Sequence, residues 1–143
     1  MGLLDNYTGI GTSPRPKWRH QMTMARAVRL MYDELAEQEM ILTTEATVTD
    51  DWDDLAPDLV AFSTDFVPLL MIEITTHREL KQIIKKCYEL TARFPEAEYF
   101  VYDYEKDILY MYDSEHDRWL PSDEYDLFSA YLNKPMTVYL KSN

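Results

Sequence analysis

Cysteine, glycine and histidine are scarce: one, three and three respectively in 143 residues. The lone thiol, Cys87, can form neither an internal disulfide nor a two-cysteine metal site, and inside a helical pattern it reads as a small buried hydrophobe. Gly2, Gly9 and Gly11 all precede residue 12. No glycine-rich loop therefore remains to cradle a nucleotide phosphate, and no serine stands in a glycine-flanked elbow. His20, His77 and His116 are scattered, which argues against a nucleophilic triad. No apolar run approaches the span of a bilayer and no charged-then-apolar leader opens the chain. The expectation is a cytoplasmic protein with no membrane partner.

What is present is a globular composition. With 46% hydrophobic residues and no low-complexity run, the chain fits one domain over 1–143, neither disordered nor fibrous. The formal charge of -12 counts against a polyanionic partner, yet ten of the 14 basic residues fall in two windows. These are Arg15, Lys17, Arg19, Arg26 and Arg29, then Arg78, Lys81, Lys85, Lys86 and Arg93. If the two windows share a face they offer a phosphate-binding surface; otherwise they are solvated helix faces.

Residues 1–16, with their glycines and Pro14 and Pro16, read as a flexible arm. From Trp18 to Gln38 the apolar Met24, Val28, Met31 and Leu35 recur at helical spacing. Ile41 to Val48 reads as a strand, and the acidic segment 50–57 as a solvated loop closed by Pro57. Leu59–Ser63 and Leu69–Thr75 predict two strands able to form a hairpin, His77–Phe94 an amphipathic helix stopped by Pro95, and Glu98–Tyr104 with Asp107–Tyr112 a second hairpin. Tyrosine alternation in that hairpin suggests one exposed face, a docking surface for partners. Ser122 suits the N-cap of a helix through Leu132, and Met136–Leu140 a final strand in a C-terminal region of 121–143. The pattern is that of an α/β protein with a central mixed sheet flanked by helices.

Leu69–Ile72 is apolar on both faces, so an acid directly after it, Glu73, must be hydrated, paired or metal-bound. Asp58 opens the preceding strand. Two carboxylates at neighbouring strand ends suit a hard divalent cation such as Mg2+ or Mn2+, which polarises a phosphodiester and acidifies a bound water. Lys86 lies at the border of the apolar helix face, from which a lysine can bury its stem and aim its ammonium at a strand end; Lys81 is the second choice.

Pro57-Asp58, the apolar strand into Glu73-Ile74-Thr75, the Lys86-Cys87 pair, Glu98–Asp103 followed by Ile108–Tyr112, and the His20-Gln21 helix start together resemble the PD-(D/E)xK nuclease superfamily. More narrowly they resemble its bacterial Uma-two branch of restriction-endonuclease-type proteins. The resemblance covers His20 to Tyr112, within a nuclease-like core of 18–112. It implies a restriction-endonuclease-like core and hydrolysis of DNA phosphodiesters. Asp58 and Glu73 would be metal ligands, the Ile74 carbonyl a further one, and Lys86 the catalytic cation. Thr75 stands where the superfamily pattern carries its lysine, so the charge must come from the helix. Relatives also carry an acid before the first helix, for which Glu34 or Glu37 is the candidate substitute.

Two function classes follow: a metal-dependent DNA endonuclease, or a nuclease-fold module without catalysis that binds or dimerises. The same residues also admit plainer roles. Asp58 can cap a turn, Glu73 and Lys86 can form a structural ion pair, and His20 can be a polar helix-start residue.

Overall fold

The computed structural model describes residues 18–45 and 56–141. The expected N-terminal arm and most of the acidic loop lie outside the described residues. Helix α1 (Trp18–Ala36) leads into β1 (Ile41–Thr44), then β2 (Leu59–Phe62) and β3 (Pro68–Thr75). Helix α2 (Leu80–Arg93) connects β3 to β4 (Glu98–Asp103), and β5 (Ile108–Asp113), β6 (Arg118–Pro121) and the short α3 (Met136–Leu140) follow.

The six strands form one sheet in chain order. Every neighbouring pair is antiparallel except β3 and β4, which run parallel with Glu73 opposite Val101. A parallel pair needs a long crossover, and α2 supplies it. The protein is therefore α/β with a mixed sheet flanked by helices.

Strand alternation divides the core in two. On one face Leu70, Ile72, Ile74, Phe100 and Tyr102 pack with Met24, Ala27, Met31 and Leu35 of α1. On the other Met71, Tyr99 and Val101 pack with Cys87 and Leu90 of α2. The two basic helices thus lie on opposite faces of the sheet, and among the described residues the shared basic face allowed by the sequence does not form. Both helices nevertheless begin near the strand ends that carry Asp58 and Glu73. Tyr102 and Tyr104 are buried, which also corrects the expected exposed tyrosine face in that stretch.

The chain after β6 departs from expectation. Ser122 does not cap a helix: its N–H donates to the Leu109 carbonyl at 2.8 Å and its Oγ accepts the Leu109 N–H at 3.0 Å, prolonging the pairing of β5 and β6. Leu127, Ser129 and Leu132, the buried residues of the following segment, are not at helical spacing, and Glu98 binds the segment through Ser129 Oγ and the Ala130 N–H. The helix comes later, at Met136–Leu140, where a strand was expected; Met136, Tyr139 and Leu140 bury one side against the α1 face.

Candidate active site

Glu73 is 2% exposed and points to the α2 face of the sheet. Lys86, one turn into α2 and beyond, reaches it with Nζ 2.9 Å from Oε2, and the same ammonium donates to the Ala56 carbonyl at 2.9 Å. A lysine ammonium has three N–H donors, and among the described residues Glu73 and Ala56 take two of them, while Lys86 also lines a cavity. Tyr99, buried on the neighbouring strand, donates its hydroxyl to Glu73 Oε2 at 2.9 Å. Burial pushes the Glu73 carboxyl up to about 7; the Lys86 charge opposes the shift and the Asp58 charge adds to it. The influence of Asp58 means that two carboxylates converge here, and the buried one holds a proton near neutrality.

Asp58 sits just before β2. Its Oδ2 accepts the Ile74 N–H at 2.7 Å and lies 3.2 Å from His20 Nε2, contributed by the first turn of α1. The local cause is Pro57. Antiparallel register pairs Leu59 with Ile72, and that register continued two residues further would set Pro57 opposite Ile74. The Thr75 carbonyl accepts the Tyr104 N–H from the β4 side, so Ile74, one residue back, turns its N–H and C=O toward β2. Proline has no N–H to offer the Ile74 carbonyl, and the Asp58 carboxylate takes the Ile74 N–H in place of a ladder carbonyl. The β2–β3 pairing ends before this point, and Ile74 lines the cavity.

The resulting cavity, about 300 Å³, is lined by His20, Asp58, Glu73, Ile74, Thr75 and Lys86, with Glu79 also on its wall. The four residues singled out in the sequence, Asp58, Glu73, Ile74 and Lys86, are brought together. Lys81 is exposed and off the cavity, whereas Lys86 lines it. Thr75 is buried and its hydroxyl donates to the Thr76 carbonyl, supplying no charge.

Glu34 and Glu37 do not line the cavity. Glu34 binds Tyr139 Oη and the Asn133 N–H, fastening the C-terminal segment to α1, and Glu37 is exposed. The third acid of the cavity is Glu79, preceding α2. Sequence reasoning missed it, along with Tyr99; register of Tyr99 beside Met71, two residues before Glu73 on the same face, is the signal that could have found the latter.

Two carboxylates and a main-chain carbonyl form an all-oxygen donor set, the kind a small hard cation takes while keeping several waters. A buried carboxyl held near neutrality beside a second acid fits such a charge, since a cation would relieve both its desolvation and the repulsion from Asp58. The residues present therefore fit a divalent ion held by Asp58, Glu73 and the Ile74 carbonyl.

Among the described residues no helix is long and apolar enough to cross a membrane. No family model matches the chain, and no curated protein matches it by sequence. Among solved structures it is similar to a DUF820 protein of Anabaena variabilis, described as a candidate nuclease, at 14% identity and a TM-score of 0.60 over 90% of this chain and 79% of that one. At that identity the likeness concerns architecture: the chain has a nuclease-like α/β fold.

Proposed function

We propose that the protein is a divalent-metal-dependent DNA endonuclease, with Asp58 and Glu73 as carboxylate ligands of Mg2+ or Mn2+, the Ile74 carbonyl as a further ligand and Lys86 as the catalytic cation. The observation that carries this reading is the convergence on one strand-end cavity of the buried Glu73, a second carboxylate and a lysine paired with Glu73. A structural neighbour described as a candidate nuclease supports it at the level of fold.

A divalent ion held by Asp58, Glu73 and the Ile74 carbonyl would supply Lewis acidity toward a phosphate oxygen and would acidify a coordinated water. Asp58 is held in orientation by the Ile74 N–H and by His20. Glu73 is held through Oε2 by Lys86 and Tyr99. Lys86 lines the cavity, where its ammonium can orient the attacking water or offset negative charge that develops on the phosphoryl oxygens. Thr75 leaves that role to the helix.

The test is cleavage of plasmid DNA with Mg2+ or Mn2+ by the wild type and by Glu73→Ala. Cleavage by the wild type that disappears in the variant supports the reading. Undiminished metal-dependent cleavage by Glu73→Ala would overturn it, and a wild type that binds the ion without cutting would leave a nuclease-fold binding module.

A further inference from the structure

A second and larger cavity, about 640 Å³, runs along α1 and meets the candidate active site at Tyr104, which lines both. Arg19 and His20, adjacent in the first turn of α1, face one cavity each. The walls of the larger cleft combine Arg19, Arg26 and Arg29 with Trp18 and Met22, which are 65% and 63% exposed. We infer that this cleft binds an unpaired DNA strand and leads it to the strand-end carboxylates, so that the substrate is single-stranded DNA or the unpaired part of a junction or end. The inference rests on the phosphodiesterase reading and narrows its substrate.

Charge complementarity argues for a polyanion. In a chain of net charge -12, this cleft gathers three guanidiniums to which the described residues supply no carboxylate. Arg19 donates to the Tyr104 carbonyl at 2.9 Å and lies over the Tyr104 ring; Arg26 donates to the carbonyls of Val138 and Lys141. Carbonyl partners fix these side chains in place without cancelling their charge, leaving it to attract phosphate.

The exposed aromatic decides between strand and duplex. A duplex presents phosphates and sugars outward and keeps its base faces stacked, so it offers Trp18 nothing to stack on. An unpaired strand exposes base faces that an indole can cover, with the arginines tracking its backbone. The cleft has the dimensions of a small-ligand site, which suits an unstacked nucleotide and not the width of a double helix.

The probe is a fluorescein-labelled oligo-dT, compared by anisotropy with a duplex of equal length, both in chelator at low salt so that nothing is cut. The expected result is binding of oligo-dT about tenfold tighter than duplex, weakened about tenfold by Trp18→Ala and by Arg29→Glu, both exposed positions remote from the carboxylates. Equal or tighter duplex binding overturns the inference, as does oligo-dT binding indifferent to both substitutions. A dimer that Trp18→Ala dissociates, with oligo-dT binding unchanged, also overturns it and gives the cleft to a second copy. Metal-dependent cleavage of bis(p-nitrophenyl) phosphate, a phosphodiester too small to need the cleft, separates the two readings. Its retention in Trp18→Ala and loss in Glu73→Gln leaves catalysis standing whatever the cleft binds, and its absence from the wild type removes catalysis without touching the binding result.

Discussion

Tyr99 Oη and Lys86 Nζ share one acceptor, each lying 2.9 Å from Oε2 of Glu73. Among the described residues Oε1 receives no donor, so the carboxylate is gripped by one oxygen and presents the other. Tyr99→Phe removes one of the two grips at no cost in buried volume. The Tyr99 hydrogen bond lowers the Glu73 carboxyl, so its removal should let that carboxyl climb. The acidic limb of the pH–rate profile for DNA cleavage should move up accordingly, with the plateau at high pH nearly retained. A uniform fall in rate with no displacement of the limb would make Tyr99 a packing residue only.

Glu73 also predicts a pH dependence of folding. Its carboxyl, at about 7 in the folded protein, lies above the ordinary glutamate value. Between those two values the folded state keeps a proton that the unfolded chain has released, so this group makes stability fall as pH rises through the interval. The full difference, roughly 3 kcal/mol, is present above pH 7. Glu73→Gln cannot titrate and lacks this slope. In chelator, urea melts should show the variant gaining on the wild type from pH 5 to pH 8; a constant difference would show that Glu73 titrates normally.

Metal and proton compete for the same carboxylate. Apparent Mg2+ affinity, read by calorimetry, should rise about tenfold per pH unit below pH 7 and level off above it, because one proton must leave Glu73 for the ion to enter. Asp58→Asn should abolish the binding, and Glu73→Gln should leave only weak binding without that pH dependence. Retained affinity in Asp58→Asn would place the ion elsewhere.

Lys86→Met keeps the stem against the sheet and deletes the charge. Turnover should fall by about 10²–10³, the usual loss when a preorganised donor is removed from a reacting phosphate or oxyanion. Lys81→Ala, on an exposed position off the cavity, should change little. Equal losses from the two substitutions would point to bulk electrostatic attraction of DNA in place of a positioned cation.

Most of the sheet was legible because its strands are bounded by strong signals. Alternation and Pro95 delimit α2 and β4, and the apolar run before Glu73 marks a central strand. That Asp58, Glu73 and Lys86 would meet at one place was legible from strand ends and a helix border located by counting residues, together with the resemblance in the motifs around them. Less visible were groups whose position depends on register between strands or on packing between distant segments. Tyr99 reaches Glu73 only because β3 and β4 run parallel in one register, and His20 reaches Asp58 only because α1 docks with its first turn at the strand ends. The segment after β6 misled because Ser122 has the chemistry of a helix cap, and the Leu109 backbone engages it first.

Pro57 bears a meaning that its place in a dipeptide motif does not convey. Because it lacks a backbone hydrogen, the zipper between β2 and β3 has a fixed last tooth, and the open space beyond that tooth is where the carboxylates meet. Replacement by alanine would restore a donor opposite Ile74 and let the two strands close one step further, sealing with main chain the oxygen that side chains had left available.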